Sequence, residues 1–252
     1  KRKVAPLRFS RAKKLYVHIP DAQRSLQEAP QPQKIPRLLF SCGRQQGLPT
    51  GLFESFETWT ELNPEYSVKF FEDKAMSRFV SSMDNPQRRG FKLPMVPVPE
   101  RRGLAKRSND APKEEEVLLT DIYAALVAPD MREALFKYLY LHAHGGVFVA
   151  ADLVAVAPLE DMISRNDTIV MATGDQAGGR MNEAAVVSEK FIAVAPQQQF
   201  LRDLVYSIAA EVLKRTIPSR PDRLMGNSAL TTALHQQLNL DVGSGRLNDN
   251  TL

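Results

Sequence analysis

The apolar positions of this chain form two kinds of run, short continuous ones and longer ones at helical spacing. A short continuous run favours a buried strand, whereas recurrence near every 3.6 residues favours an amphipathic helix. The short runs are Ile35–Phe40, Ser67–Phe71, Val147–Val149, Ile169–Met171 and Phe191–Ala195. The helical runs are Phe53–Leu62, Asp73–Val80, Thr120–Val127, Phe200–Lys214 and Ser228–Gln237. This alternation predicts an α/β fold with a mainly parallel sheet flanked by helices, in which the first three strands are neighbours.

The stretch from Pro129 to Pro158 carries the most information. Asp130 and Glu133 have the spacing of a capping box, which predicts the start of a helix. Gly145 can adopt the left-handed conformation that ends that helix. The strand that follows, Val147–Val149, is predicted to be buried on both faces. Asp152 comes directly after it, where open α/β sheets bind their ligands.

Composition narrows the function classes. The chain has 252 residues, of which 43% are hydrophobic and 25% charged, as in ordinary globular proteins. A net charge of +4 is too small to indicate nucleic-acid binding. No apolar run reaches the length of a membrane span. A single cysteine, Cys42, excludes a disulfide within the chain and leaves the redox compartment open.

Two segments differ from the rest of the chain in composition. Residues 1–33 begin with seven Lys or Arg among the first 14 residues, which predicts an extended basic arm or a membrane-proximal stem. Residues 34–252 are predicted to form one domain. Within it, about 85–116 contain several prolines among mixed charges, which predicts an insertion with little regular structure. An acceptor-side lid is the alternative interpretation of that insertion.

The central stretch resembles the DXD-containing sugar transferase family, which includes the Golgi mannosyltransferases that start fungal outer chains. The family pattern is roughly S-D-x-x-R-Y-x-x-L-Y-x-x-G-G-x-Y-x-D-x-D. In that pattern Tyr138 matches the Tyr after the Arg, Gly145-Gly146 match the glycines, and Asp152 matches the second Asp of DXD. Further matches extend the resemblance from Ile35 to about Leu238. They are Ile35–Phe40, Trp59–Tyr66, Pro158-Leu159, Met181–Glu183 and Met225–Leu230.

The chain departs from the family at three polar positions. Ala150 stands at the first Asp of DXD, Ala134 at the upstream Asp, and Lys137 at the Arg. Lys137 lacks the two-pronged geometry of Arg, so a planar contact with phosphate would be lost. The scaffold positions are kept while these polar ones are changed. The resemblance therefore favours the fold more strongly than it favours the activity.

The resemblance implies a GT-A-like (Rossmann-like) fold and a metal-dependent glycosyltransferase of the retaining type. It would move a sugar from a UDP- or GDP-sugar donor to a glycan or protein acceptor, with Mn²⁺ or Mg²⁺ as cofactor. It also implies a Golgi or other secretory-pathway lumen and a type II membrane anchor outside these residues. A cytoplasmic location is the alternative. The alternative function is that of a catalytically inactive relative that acts as a binding or structural subunit, and an engineered Ala150 is a third possibility.

The candidate site residues follow from these matches. Asp152 is the predicted metal ligand, since hard cations prefer oxygen ligands and Mg²⁺ often takes only one or two carboxylates. The candidates for nucleotide-sugar binding are Asp152, Lys137, Tyr138, Gly145, Gly146, Ala150 and Asn182. With Ala150 at the other DXD position the site would be weak, unless Asp161, Asp167 or Asp175 substitutes.

Each candidate also has a structural interpretation. Asp152 could be a strand-end turn residue. Lys137 could reach a phosphate or pair with a carboxylate, and its structural interpretation is a side chain that extends along a partly buried helix to place its ammonium in solvent. His142 and His144 are interpreted as residues of a last helical turn that complement the helix dipole. Trp59 recurs with Phe53 and Phe56 at three-residue steps, which indicates a core position rather than a sugar platform.

Overall fold

A computed structural model describes residues 33–43, 49–85, 117–173, 186–214 and 222–238. Its strands are β1 Leu38–Gly43, β2 Ser67–Glu72, β3 Gly146–Val149, β4 Ile169–Thr173 and β5 Val187–Val194. Its helices are α1 Thr50–Leu62, α2 Asp73–Met83, α3 Leu119–Ala125, α4 Pro129–His144, α5 Gln199–Leu213, α6 Asp222–Met225 and α7 Asn227–Gln237. The predicted basic arm, apart from its last residue, and nearly all of the predicted insertion lie outside these ranges.

The strands form one sheet in the order β2-β1-β3-β5-β4. β1 pairs in parallel with both β2 and β3, while β5 runs antiparallel to β3 and to β4. The sheet is therefore mixed and mostly parallel, with only β5 reversed among the described strands. The predicted α/β fold is confirmed, and the three predicted strands at its start are neighbours.

β1 begins three residues later than the apolar run suggests. Pro36 has no backbone N–H to donate to a ladder, and the Leu38 N–H donates instead to the Pro36 carbonyl at 2.7 Å. Pairing with β2 starts at Leu38. Ile35 is nevertheless fully buried, so its apolar character reflects packing outside the strand.

Two apolar layers cover the sheet. The helix-side core lies under α2, α3, α4, α5 and α7 and includes Phe40 and Phe148. The other layer contains α1 and the chain after β3. Trp59 belongs to this second layer: it is 4% exposed, stacks on Phe191, and its indole N–H donates to the Leu153 carbonyl. The core assignment of Trp59 is therefore confirmed.

The start of α4 differs from the predicted capping box. The N-cap is Ala128, Pro129 is the first helical residue, and no side-chain hydrogen bond caps the helix. Pro at this position has a backbone angle already suited to a helix and needs no N–H partner there. Asp130 lies within the first turn, where its charge complements the positive end of the helix dipole. The capping-box prediction was wrong in its register.

α4 turns directly into β3 through two glycines with positive φ. Gly145 has φ +65 and Gly146 has φ +102. A Cβ on Gly146 would lie 2.5 Å from the Leu38 carbonyl oxygen of β1. α4 therefore ends at the amino end of β3 and packs against the helix-side core that contains Phe40 of β1 and Phe148 of β3. None of the helices in the described ranges is both long and apolar enough to cross a bilayer.

Candidate functional site

One edge of the sheet collects the carboxyl ends of β1, β2 and β3 together with the first residues of β5, and we call it the carboxyl edge. The parallel register places Gly43 beside Glu72, and the antiparallel register places Val149 beside Phe191. α2 starts immediately after β2, so its amino end also lies here. Ligands of open α/β sheets bind at such an edge, and Asp152 lies on it.

Asp152 is in a turn just beyond β3, with its side chain 50% exposed. Its Oδ2 lies 2.5 Å from the Nζ of Lys190 on β5, whose side chain is 53% exposed. The Ala150 N–H donates to the Lys190 carbonyl at 2.8 Å, which holds the turn against β5. An ion pair this exposed contributes little to stability. The carboxylate is therefore accessible and is already within contact distance of a cation.

Lys137 is buried and paired. Its Nζ donates to Glu189 Oε2 at 3.0 Å and to the Glu189 carbonyl at 3.3 Å. The same ammonium lies 4.8 Å from the ring centre of Phe148 and 5.0 Å from that of Tyr138. Because the Lys137 side chain is only 6% exposed, its ammonium does not extend into solvent. Of the predicted alternatives for Lys137, the structure supports pairing with a carboxylate, that of Glu189.

Tyr138 lies in the interior. It is fully buried, and its hydroxyl donates to the Met225 carbonyl, which ties α4 to α6. Burial raises the pKa of the Tyr138 hydroxyl well above its ordinary value, so it stays protonated. These contacts are structural and place no group of Tyr138 on the surface of the carboxyl edge.

The two glycines lie at the opposite end of β3 from Asp152. Gly145 precedes β3 and Gly146 is its first residue, whereas Asp152 follows its last residue, so roughly 10 Å of strand separates the glycines from the turn that carries Asp152. Close approach to β1 and to Pro196 accounts for both glycines. Asn182 lies outside the described residues, as does Asp175.

The other carboxylates considered as substitutes lie away from Asp152. Asp167 precedes β4 at the opposite edge, where its Oδ2 accepts the Ser164 N–H at 2.8 Å. Asp161 neighbours Glu160, which pairs with Arg37 just ahead of β1. Over the described part of the chain, no group of three or more His, Cys, Asp or Glu side chains could hold a metal ion.

Glu189 and Lys190 were missed by the sequence analysis. The predicted strand began at Phe191, but β5 begins at Val187 and carries both charged residues alongside the end of β3. The apolar pair Val186-Val187 was the signal that the strand extends further. α7 holds this extension: Asn227 Oδ1 accepts the Glu189 N–H at 2.7 Å, and Thr231 Oγ1 accepts the Val187 N–H at 3.0 Å.

Burial shifts the pKa values of two further groups, Cys42 near this edge and His142 at the far end of α4. Burial raises the pKa of the Cys42 thiol to about 12, with Lys137 opposing and Glu133 adding to the shift. The Cys42 thiol is therefore protonated at neutral pH and is a poor nucleophile. Burial lowers the pKa of His142, whose Nδ1 lies 3.1 Å from the Gln198 carbonyl. His142 and His144 both lie in the last turn of α4, as predicted, and the lowered pKa of His142 reduces the charge that it contributes to the helix dipole.

Comparisons with known proteins bear on the fold. No family model matches the chain, and no curated protein matches it. A solved structure, "PaToxG Glycosyltransferase", superimposes with a TM-score of 0.52 and 12% identity, covering 82% of this chain and 72% of that chain. The chain therefore has a glycosyltransferase-like fold. At 12% identity this likeness concerns the fold alone. The match of residues 150–152 to a DXD motif, with Ala150 in place of its first Asp, stays a prediction.

Proposed function

We propose that this chain is a glycosyltransferase that binds a nucleotide sugar at the carboxyl edge, with Asp152 as the ligand of Mn²⁺ or Mg²⁺. One observation carries the proposal. On a glycosyltransferase-like sheet, Asp152 presents a half-exposed carboxylate just past the central strand, 2.5 Å from an ammonium group. A carboxylate oxygen that already contacts a cationic side chain at this edge is a suitable ligand for a hard divalent metal ion.

The chemistry assigns a role to each neighbouring residue. A bound divalent cation would neutralise the negative charge that the diphosphate gains as it leaves the sugar. Asp152 would hold that cation, and Lys190 would have to move away from the carboxylate to admit it. The methyl group of Ala150 supplies no ligand. The buried Lys137 keeps its contact with Glu189 and does not reach a phosphate.

Nucleotide binding tests this proposal directly. Isothermal titration of UDP- and GDP-sugars, with and without Mn²⁺, should reveal binding that requires the metal. Asp152→Asn should abolish it, whereas Ala150→Asp should strengthen it and increase donor hydrolysis. Asp161→Asn is the matched control, since it removes one exposed carboxylate at the opposite edge. Metal-dependent binding that survives Asp152→Asn would contradict the proposal.

A catalytically inactive binding subunit is the second candidate. Two observations favour it: Ala150 stands where the family has a carboxylate, and Lys137 is occupied by an internal ion pair. This candidate predicts no metal-dependent nucleotide binding in the native chain and none after Ala150→Asp. The same titrations therefore discriminate between the two candidates.

The finer parts of the proposal rest on the sequence resemblance. These are a retaining mechanism, a glycan or protein acceptor, and a secretory-pathway compartment with an anchor outside these residues. Assigning the anomeric configuration of the product by NMR tests the first. Fractionation of the native host cell, with protease protection of sealed vesicles, tests the compartment.

A further inference from the structure

Position 150 lacks a carboxylate, and the neighbouring strand carries one at Glu189, next in sequence to the Lys190 that is hydrogen-bonded to Ala150. We propose that Glu189 supplies the second carboxylate of the site, so that a divalent cation with its nucleoside diphosphate would be held between Asp152 and Glu189. This inference rests on the proposed function. It also assigns a task to Lys137, which would position Glu189 rather than contact the ligand.

The backbone pairing brings Glu189 to the right edge. The Ala150 N–H donates to the Lys190 carbonyl at 2.8 Å, so position 150 is bonded to β5 one residue from Glu189. Lys190 in turn contacts Asp152. Asp152 therefore follows β3 and Glu189 lies within β5, both just beyond the last pair of the β3–β5 ladder.

The contacts of Glu189 and of position 150 also place both on the same face of the sheet. Ala150 packs against the helix-side core, the layer that contains Phe148. Lys137 approaches from that same side, 4.8 Å from the Phe148 ring centre and 3.0 Å from Glu189 Oε2. The Glu189 carboxylate and a side chain at position 150 thus lie on one face of the sheet, at one edge.

Glu189 is held in place while remaining accessible. Its N–H is bound by Asn227 Oδ1, and Lys137 contacts both its carboxylate and its carbonyl. Its side chain is nevertheless 38% exposed, against 6% for Lys137. A carboxylate accepts at both oxygens, so the contact at Oε2 leaves capacity at Oε1. Two carboxylates also match the number that Mg²⁺ commonly takes from a protein when phosphates and water complete the shell.

The experiment must distinguish the loss of the Glu189 carboxylate from the loss of its ion pair with Lys137. Glu189→Gln alone would leave a buried ammonium unpaired and could fail to fold. The informative comparison is Lys137→Met against Lys137→Met with Glu189→Gln, because both lack the buried charge and only the second lacks the carboxylate. Titration of MnCl₂ with UDP, and in parallel with GDP, gives the affinities. Thermal unfolding reports whether each variant is folded.

We expect the double variant to bind the Mn²⁺–nucleotide about tenfold or more weakly than Lys137→Met. Adding Ala150→Asp to the double variant should restore the affinity. Lys137→Arg should bind as the native chain does, since a guanidinium also holds a carboxylate. A positioning role further predicts that folded Lys137→Met binds the Mn²⁺–nucleotide more weakly than Lys137→Arg does, which a purely structural ion pair would not require.

Equal affinities of the single and double variants would overturn the inference. If Asp152→Asn then still abolishes binding, the proposed function stands and Glu189 is only the partner of a structural ion pair. If the native chain shows no Mn²⁺-dependent binding and Ala150→Asp does not create it, the proposed function and this inference fall together.

Discussion

At the scale of residues, the carboxyl edge carries two ion pairs of different character. Lys190–Asp152 is exposed on both sides, whereas Lys137–Glu189 joins a buried ammonium to a half-exposed carboxylate. An exposed pair exchanges readily with solvent ions. A buried pair is costly to break because one charge is left without a partner. The first pair can therefore yield to a ligand, and the second keeps its geometry.

Lys190→Gln should increase the affinity for Mn²⁺ with nucleotide. The Lys190 ammonium competes with the metal for Asp152, and an exposed pair contributes about 0.2–1 kcal/mol, so a gain of up to about fivefold is expected. Calorimetric titration measures it. Lys34→Gln removes the same charge ahead of β1, at the opposite edge, and should leave the affinity unchanged. A loss of affinity in Lys190→Gln would instead mean that Lys190 contacts the phosphates.

At the scale of elements, the join between α4 and β3 sets where the central strand begins. The sequence predicted the glycine turn and the buried strand, and both are confirmed: every residue of β3 is buried. The predicted nucleotide roles of Gly145 and Gly146 stay predictions, since close contact with β1 and with Pro196 already requires glycine at both positions.

Gly146→Ala should lower the free energy of unfolding by roughly 3 kcal/mol or more. The new methyl group would meet the Leu38 carbonyl oxygen at 2.5 Å, at a backbone φ of +102 that disfavours any side chain. Urea denaturation measures the change. Gly51→Ala is the control: it lies in α1 with nothing within 4 Å of the new methyl group, and should be neutral or stabilise by up to about 1 kcal/mol. Equal effects of the two substitutions would contradict this account.

At the scale of the whole molecule, topology assembles the carboxyl edge from distant parts of the chain. Asp152 and Lys190 are 38 residues apart, and Lys137 and Glu189 are 52 apart. The same packing buries titratable groups next to the site. Burial raises the pKa of Cys42 from 9.0 to about 12 and that of Tyr123 from 10.0 to about 12.

Stability should fall as the pH rises from about 9 to about 12. In the unfolded chain the Cys42 thiol and the Tyr123 hydroxyl ionise near their ordinary pKa values of 9.0 and 10.0, whereas in the folded protein they retain their protons up to about pH 12. Over that window the unfolded state binds fewer protons, so the free energy of unfolding decreases with pH. Urea midpoints at about pH 8 and about pH 11 measure the fall. Cys42→Ala should flatten it, and an unchanged slope would refute the Cys42 contribution.

The sequence by itself determined the local elements of this protein. Hydrophobic periodicity located the strands and most of the helices, marked Val147–Val149 and Trp59 as core, and put Asp152 at a strand end. These features depend on neighbours within a few residues of one another. The errors were also local: Pro36 delays β1, and Pro129 moves the start of α4.

Only the tertiary structure decided which charged groups share the site. Periodicity tells whether a side chain is inside or outside, but it does not tell which strand lies alongside another. The reversal of β5 beside β3 brings Glu189 and Lys190 to the end of the strand that carries Ala150 and Asp152. Lys137 meets its carboxylate there because α4 packs across that same edge. Contacts between residues this far apart follow from the order and direction of the strands.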